Sequence, residues 1–218
     1  MGAKRPSRSA EILKSIVVLI LLIIAVRLFI FKFVEIDDDS MANTLLPGDV
    51  VGVNVLSYAY SNPLPGDIVL LKHPLIMEES LIRRVAAVEG QIVEIRDKKL
   101  FVNDKPVEDT KGIRFVDYRI FSSAISARDN YGPIQVPSGT VFILCDDRDM
   151  YPDSRIWGFI NVSEIIGKTS LIVYSWKPDP NAPQIENSYL TYFVRAAFYY
   201  TTHIFSQPDW ERCGISIS

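Results

Sequence analysis

The most apolar part of the chain lies near its N-terminus. From Ser15 to Phe33 only Arg27 and Lys32 interrupt a run of apolar side chains, and about 20 such residues can cross the hydrocarbon of a bilayer as a helix. Residues 1–14 are basic, whereas residues 35–39 are acidic. Because cytoplasmic flanks carry the excess of Lys and Arg, the pattern predicts a single transmembrane helix over 15–33. Residues 1–14 would form a cytoplasmic tail, and the rest of the chain would lie outside the cell membrane, in the periplasm or the extracellular space.

A cleaved signal peptide would share this basic start. Such a leader has a shorter apolar region, followed by small residues in an A-x-A-like pattern before the cut. No site of that kind follows Phe33. The sequence therefore favours an uncleaved anchor that contacts the lipid bilayer.

Short β-forming runs alternate with turn signals after the apolar segment. Turn sequences such as Pro47-Gly48-Asp49 and Pro65-Gly66-Asp67 separate runs dominated by Val and Ile, which cover 50–54, 68–72, 81–88, 92–95, 100–102, 140–144 and 169–176. Short strands between turns are typical of an all-β domain. Since no linker divides 34–177, we expect this range to form one mainly β domain.

Residues 178–218 are predicted to form a C-terminal extension. Polar, Pro-rich residues at 178–187 indicate a surface connection. The following stretch, 189–205, places Phe193, Ala197, Tyr200 and Ile204 at helical spacing, which predicts a short helix. Two placements of this helix remain open: against the sheet, or with its aromatic side chains in the lipid interface.

Charge is distributed unevenly along the chain. Residues 1–33 contain six basic residues and one acidic residue, whereas the remaining 185 contain 17 basic and 25 acidic residues. A nucleic-acid footprint needs a basic face, so nucleic acid is not an expected partner. Two Cys and two His residues are too few for a Cys-built zinc site or a disulfide framework. We therefore expect no metal and no other cofactor.

Several features, in this order, resemble the type I signal peptidase family. The apolar segment is followed by Ser40-Met41, then by Arg83-Arg84 in a predicted strand, then by DDRDMYPDSRIWGFI at 146–160. The last stretch is similar to that family's G-D-N-R-x-x-S-x-D-S-R-x-x-G signature, and WERCG at 210–214 is similar to its closing W-x-R-x-G. The resemblance covers most of residues 12–177 and implies a signal-peptidase-like β domain.

The resemblance also implies a chemistry, that of a membrane-anchored serine endopeptidase with a Ser nucleophile and a Lys general base. Ser40 holds the nucleophile position. A buried lysine can serve as the base because desolvation lowers the pKa of an ammonium group. In this chain Arg83 holds the lysine position. A guanidinium stays protonated in proteins and has no lone pair that could accept a proton.

Other departures from the family fall at the same site. Asp38 replaces a Ser whose side chain donates to the oxyanion, and an ionised carboxylate would repel that charge. Tyr151 replaces the Ser that orients the lysine, and Asn43 replaces a Pro. The site is thus expected to be lined by Asp38, Met41 and Tyr151. The positions that support the fold in the family are kept, namely Arg84, Asp146, Asp153, Ser154, Arg155 and Gly158.

Three functional hypotheses follow from this pattern. The first is a protein that engages signal peptides of exported precursors on the outer face of the membrane but cleaves them poorly, with an active paralogue or the secretion machinery as a further partner. The second is an active signal peptidase in which Ser40 works with a non-standard base, such as Asp37, Asp38 or Asp39. The third is a non-catalytic membrane-tethered module whose acidic exterior contacts a basic partner.

The same residues predict a geometry. A guanidinium in a groove built for a neutral amine is costly if it is unpaired, so Arg83 is expected to face Ser40 and to be neutralised by Asp38 or a neighbouring Asp, with Tyr151 close by. Cys145 stands where the family has Gly, and Cys213 lies in the closing motif. Their pairing is left open, because a disulfide requires Cα atoms within about 7 Å.

Overall fold

The computed structural model describes residues 8–108, 112–177, 179, 199, 201–202 and 208–217. Most of these residues belong to short antiparallel strands, so the protein is mainly β. In chain order the elements are α1 (Arg8–Ile30), β1 (Phe31–Glu35), β2 (Asp49–Asn54), β3 (Ile68–Lys72), β4 (Ser80–Val88), β5 (Ile92–Arg96), β6 (Lys99–Val102), β7 (Lys105–Pro106), β8 (Tyr131–Gln135), β9 (Thr140–Leu144), α2 (Ser154–Trp157), β10 (Ile160–Asn161), a 3₁₀ turn (Val162–Glu164) and β11 (Ile165–Ser175).

Helix α1 precedes the sheets and presents apolar side chains to its surroundings. The large apolar residues between Ile12 and Ile24 are exposed by 47–65%. Within the described part of the chain, no helix has both the length and the apolar character needed to span a bilayer. The helix ends at Ile30. Residues 31–33, which the sequence assigned to the apolar span, belong to β1 instead, because that strand pairs with β2 from Phe31 opposite Asn54 to Glu35 opposite Val50.

A seven-stranded sheet contains the strands that carry the site residues. Its order is β1-β2-β11-β3-β4-β9-β10, so β1 forms one edge and β4 lies inside. All of the sequence-predicted strands are present, each within a few residues of its expected bounds. The sequence did not identify β1, β7, β8 or β10. Strand β8 contains Gly132 and Pro133, two residue types that are depleted in strands, and β7 and β10 contain two residues each.

A smaller sheet has the order β7-β6-β5-β8. It shares an apolar cluster with the larger sheet, in which Val93, Ile95 and Leu100 pack with Phe142 and Leu144 of β9. Phe142 is completely buried and its ring lies 5.1 Å from that of Tyr131 in β8. This packing places the end of β9, and therefore the loop that follows it, next to β4.

The C-terminal segment 208–217 lies along β11. Isolated bridges join Leu171 to Ser216 and Trp176 to Pro208, and Ile217 is buried in the cluster that also contains Met41 and Leu45. The helix predicted over 189–205 lies outside the described residues except for Tyr199, Thr201 and Thr202. The end of the chain therefore reaches the same core as the turn that carries Ser40.

Candidate active site

A groove of about 530 Å³ runs between the edge strand β1 and the start of β4. One wall comes from the chain around β1 and the turn that follows it, and the other comes from the entrance to β4. The lining residues are Val34, Glu35, Ile36, Asp37, Asp38, Ser40, Met41, Glu79, Ser80, Leu81 and Ile82. Ser40 thus lines the groove, and so does the start of β4, the strand that carries Arg83.

Ser40 lies in a tight turn that the core holds in place. The amides of Ala42 and Leu45 donate to the carbonyl oxygens of Asp39 and Met41, and the apolar side chains of Met41 and Leu45 are buried. The carbonyl oxygen of Ser40 accepts a hydrogen bond of 3.0 Å from the amide of Asp147. Because both its own turn and the loop after β9 fix its backbone, Ser40 has a defined orientation at the base of the groove, where it is 1% exposed.

The Ser40 hydroxyl bridges Arg83 and Asp38. Nη1 of Arg83 donates to Ser40 Oγ at 2.7 Å, and Ser40 Oγ donates to Asp38 Oδ1 at 2.6 Å. The prediction that Arg83 faces Ser40 is therefore confirmed. The hydroxyl oxygen accepts from a cation while its proton points to a carboxylate, and a lone pair that would otherwise attack a carbonyl is engaged by the guanidinium.

Asp38 also holds the backbone amide of the nucleophile position. The Ser40 N–H donates to Asp38 Oδ1 at 3.0 Å, so one carboxylate oxygen accepts from both groups of Ser40. A tetrahedral intermediate of acyl transfer needs N–H or O–H donors aimed at its oxyanion. In this arrangement the Ser40 amide already donates to Asp38 and cannot serve an oxyanion, and the Asp38 carboxylate lies beside it.

Arg83 is buried without an ion pair among the described residues. Its Nη1 also donates to the carbonyl oxygen of Ile82 at 2.7 Å, its guanidinium carbon lies 5.9 Å from the centre of the Trp157 ring, and its Nε has no hydrogen-bond partner. The Asp expected beside Arg83 is Asp38, and the contact is indirect, because the Ser40 hydroxyl lies between the two and accepts from the guanidinium while donating to the carboxylate.

Tyr151 lines a different cavity from Ser40. It lines a separate cavity of about 280 Å³ together with Arg128, Arg148 and Arg155, and it does not line the groove with Ser40. Helix α2 packs beside Arg128, since Arg155 Nη1 donates to the Arg128 carbonyl at 2.7 Å. Trp157, which the sequence analysis did not single out, is the aromatic residue that contacts Arg83.

Asn43 shows that the turn itself departs from the family pattern. Its φ is 73°, in the left-handed region that Asn tolerates better than most residues. A proline ring fixes φ near −65°. A Pro at this position is therefore incompatible with the turn that places Ser40 in this structure.

The next residue along β4 belongs to a fully paired ionic cluster. Arg84 contacts both carboxylate oxygens of Asp146, with Nε to Oδ1 at 2.8 Å and Nη2 to Oδ2 at 2.7 Å. Thr44 Oγ1 donates to Asp146 Oδ2, and Arg84 Nη1 donates to the Gly66 carbonyl. Because Thr44 belongs to the Ser40 turn, this cluster ties the nucleophile position to β4 and to the end of β9.

The predicted support residues of the 146–158 motif lie together at α2. The Asp153 side chain caps the helix by accepting from the Arg155 amide at 3.0 Å, and it also binds the Arg155 guanidinium through both oxygens. The Cys145 amide donates to the same carboxylate. Ser154 Oγ accepts from the amide of Ile143 in β9. These contacts fasten α2, and with it Trp157, to the strand beside β4.

A further ion pair holds the C-terminal segment 208–217 in place. Arg212 of the closing motif binds Asp49 with Nε to Oδ1 at 3.1 Å and Nη2 to Oδ2 at 2.5 Å, and it reaches the Thr44 carbonyl at 3.2 Å. Sequence reasoning singled out Arg212 but missed Asp49 and Thr44. Asp49 ends a Pro-Gly-Asp turn, which was a usable signal for a buried acceptor at a turn.

The comparisons with known proteins agree with this geometry. The family model described as signal peptidase, peptidase S26, matches residues 9–176. This chain belongs to that family. The matched range includes both walls of the groove, the Ser40 turn and the loop after β9.

Individual signal peptidases are similar over much of the chain. A probable signal peptidase I-1 of Synechocystis is 29% identical over 159 residues, covering 70% of this chain and 76% of its own length. A signal peptidase I of Aquifex aeolicus is 30% identical over 227 residues, covering 80% of this chain and 89% of its own. Thylakoidal processing peptidase 1 of Arabidopsis thaliana is 34% identical over 154 residues, covering 66% of this chain and 42% of its own.

Both cysteines of this signal peptidase family member are free thiols. Burial raises the pKa of Cys145 to about 12, and the nearby Arg83 charge acts in the opposite direction. The thiolate is the reactive form of cysteine, so Cys145 is not a substitute nucleophile. Ser40 is thus the nucleophile candidate in the groove.

Proposed function

We propose that this chain binds signal peptides of exported precursors in the groove between β1 and β4 and cleaves them slowly or not at all. The observation that carries the proposal is the 2.7 Å hydrogen bond from Arg83 Nη1 to Ser40 Oγ. Membership of the signal peptidase family supports the substrate class, since that family acts on signal peptides. The bond supports the loss of activity, because the group beside the serine cannot accept its proton.

Two strand edges that pair with no described strand support peptide binding. Ile36 exchanges backbone hydrogen bonds with Asp49 and Gly48, so the flanking residues Glu35 and Asp37 direct their backbone groups away from β2. On the opposite wall, Glu79 bonds to His73 of the β3 side, so Ser80 and Ile82 face the groove by the same alternation. An extended peptide binds such edges through its main chain, as in other cases of strand addition.

The Arg83 guanidinium competes with part of this binding. It already donates to the carbonyl oxygen of Ile82, on the edge of β4 where a peptide amide would bind. Strand β9 pairs with β4 only from Arg84 onward, so this carbonyl has no strand partner in the part of the chain that the structure describes. A signal peptide would therefore bind mainly through β1 and Ser80, or would displace the guanidinium from Ile82.

Cleavage by this chain is slowed by two losses, that of the general base and that of one oxyanion donor. Loss of a general base costs about 10²–10⁴ in rate, and loss of one oxyanion donor costs about 10²–10³. The two effects are not strictly additive. Even so, a turnover of about 10 per second would fall to one event in minutes or longer.

The proposal includes a membrane anchor at the N-terminus. The apolar side chains of α1 are exposed along the helix, which is costly in water and favourable in lipid. The basic residues before them support a cytoplasmic N-terminus by the positive-inside rule. The β domain would then meet signal peptides on the outer face of the membrane, where an active paralogue or the secretion machinery could receive them.

A second candidate function is an active peptidase in which Asp38 is the base. The observation that favours it is the 2.6 Å hydrogen bond from the Ser40 hydroxyl to Asp38 Oδ1, which points the serine proton at a carboxylate. Asp38→Asn would abolish cleavage in this case. In the favoured proposal the same change leaves the already low rate unchanged or raises it, because it removes a negative charge beside the oxyanion.

The test combines cleavage with crosslinking. We expect a model preprotein to remain uncut by the full chain and by Ser40→Ala alike, with Ser123→Ala, an exposed loop serine, as the matched control. A photo-crosslinking residue at Leu81 should capture the signal peptide, whereas the same residue at the exposed Tyr118 should not. Brisk cleavage that Ser40→Ala abolishes would refute the proposed impairment. Equal capture at both positions would refute the groove as the binding site.

A further inference from the structure

Carboxylates line both walls of the groove. Glu35 and Asp37 lie on the β1 wall, and Glu79 lies at the entrance to β4. All three side chains are exposed, and none forms a hydrogen bond or an ion pair with a described residue. A fourth carboxylate, Asp38, lies deeper and binds Ser40.

No described cation at the mouth of the groove offsets these charges. Arg83 is 2% exposed and donates to Ser40 and Ile82, so it acts at the base and not at the rim. Carboxylates gathered at one groove give it a negative potential, which acts over about 8 Å at physiological ionic strength. A ligand that carries positive charge into the groove is favoured by this potential.

The arrangement of the carboxylates fits a ligand with several separate charges. Among the residues that the structure describes, no three carboxylates lie close enough to hold a metal ion. The charges are instead spread along two strand edges, and successive side chains of an extended peptide alternate in direction with a period of two. A peptide strand between the walls therefore places alternate side chains near the carboxylates of one wall or the other.

We propose that the groove selects extended peptides that carry two or more Lys or Arg side chains next to the segment opposite Ser40. This inference rests on the proposed function, peptide binding in the same groove, and adds the chemical class of the peptide. Main-chain bonding to β1 and β4 holds the strand, and Glu35, Asp37 and Glu79 favour basic side chains over neutral or acidic ones.

The test measures binding of labelled peptides to the full chain by fluorescence anisotropy. Three peptides share one backbone and differ only at two flanking positions, which are Lys, Gln or Glu. We expect the Lys peptide to bind about tenfold more tightly than the Gln peptide, since each exposed ion pair contributes a modest amount, and we expect added salt to erase the difference.

The groove variant Glu35→Gln/Asp37→Asn/Glu79→Gln should bind the Lys and Gln peptides with equal affinity. The matched control Asp97→Asn/Glu108→Gln/Glu211→Gln removes the same charge from exposed residues outside the groove and should change the ratio of affinities less than twofold. Because the triple variant could fold poorly, the single exposed change Glu79→Lys provides a second test. It should shift the preference toward the Glu peptide.

The outcomes separate this inference from the function on which it rests. Equal affinity of the Lys and Gln peptides, or a control that reduces the preference as strongly as the groove variant, overturns the charge selection and leaves peptide binding intact. Failure of every peptide to bind overturns the proposed function itself, and the inference with it. An undiminished Lys preference in Glu79→Lys also contradicts the inference.

Discussion

Arg83 and Arg84 are neighbours in β4, and both are buried, yet their surroundings differ. Arg84 meets Asp146 through two hydrogen bonds, and the carboxylate is shared with Thr44. Arg83 meets a hydroxyl and a carbonyl oxygen, and its Nε is unpartnered. Successive residues of a strand point to opposite faces, so one face of β4, the structural face, holds an ion pair, and the other holds Arg83 beside Ser40; we call the latter the catalytic face, after the proposed role of Ser40.

The comparison shows that a substitution on one face of β4 costs more than a substitution on the other. The Arg84 cluster joins the Ser40 turn, β4 and the end of β9, and its loss would leave a buried carboxylate uncompensated. Arg83 forms no ion pair with a described carboxylate, so its replacement leaves no carboxylate in that condition. The physical cost of changing the residue on the catalytic face is therefore smaller than the cost on the structural face.

The largest expected effect is a gain of cleavage on the catalytic face. Arg83→Lys alone should restore little activity, because Asp38 would still accept from the Ser40 amide and oppose the oxyanion. Arg83→Lys with Asp38→Ser supplies both an amine and a hydroxyl donor, and we expect a rate at least about 10³-fold above that of the unmodified chain. The measurement is single-turnover cleavage of a model preprotein. The double variant with Ser40→Ala is the control, and an inactive double variant would show that other departures, such as the Asn43 turn, also block catalysis.

The next effect is a loss of stability on the structural face. Arg84→Met leaves Asp146 buried without its ion pair, which should lower the free energy of unfolding by about 3–5 kcal/mol. Arg83→Met removes hydrogen bonds to a hydroxyl and a carbonyl and should cost about 1 kcal/mol. Denaturant unfolding of the two variants under the same conditions checks this order. Equal losses would contradict the distinction between the faces.

Arg212→Ala tests the ion pair that closes the chain and should have a smaller effect. Asp49 is fully buried, but Arg212 keeps 21% of its side chain exposed, so water can partly replace it. We expect a loss of about 2 kcal/mol, close to that for a hydrogen-bonded charge. Arg119→Ala removes a side chain that is 76% exposed beside Asp117; it is the control and should be nearly neutral. A neutral result for Arg212→Ala would mean that segment 208–217 contributes little to holding the Ser40 turn.

The sequence was a good guide wherever a local pattern determines the structure. Runs of Val and Ile between Pro-Gly-Asp turns identified the central strands, since burial on the sheet requires such residues. The boundary between α1 and β1 was missed because Phe31 and Phe33 continue the apolar run of the helix without a turn signal. Strand β8 was missed because Gly132 and Pro133 weaken its pattern.

The site was predictable only in part, for a different reason. The resemblance brought Ser40 and Arg83 together across 43 residues, which no local pattern could have done. It could not supply the order of donors and acceptors, because an ion pair and a chain of hydrogen bonds through Ser40 use the same residues. Nor could it show that Tyr151, at a family position of the site, lines a second cavity with Arg128, Arg148 and Arg155.

The smallest expected effect concerns the turn beside Arg84. That turn includes Gly66, whose carbonyl accepts from Arg84, and Asp67, which pairs with Lys168 at 2.5 Å and accepts from Tyr58 at 2.8 Å. Burial by itself raises the pKa of Asp67, but the hydrogen bonds from Lys168, the Leu64 amide and Tyr58 together lower it below its usual value. Since the folded pKa lies below the unfolded one, this carboxylate stabilises the protein above about pH 4, and the contribution disappears as the pH falls below that value.

Lys168→Met should therefore destabilise the protein at pH 7 and have less effect at pH 3. The ammonium side chain is 37% exposed, so water and salt screen the pair, and we expect a difference below about 1 kcal/mol. Urea unfolding at the two pH values measures it, with Lys99→Met, an exposed lysine of β6, as the control. An equal loss at both pH values would show that Lys168 acts through the packing of its aliphatic chain and not through Asp67. The carboxylates of the structural face would then stabilise the fold through buried partners such as Arg84 alone, which would sharpen the contrast with the catalytic face.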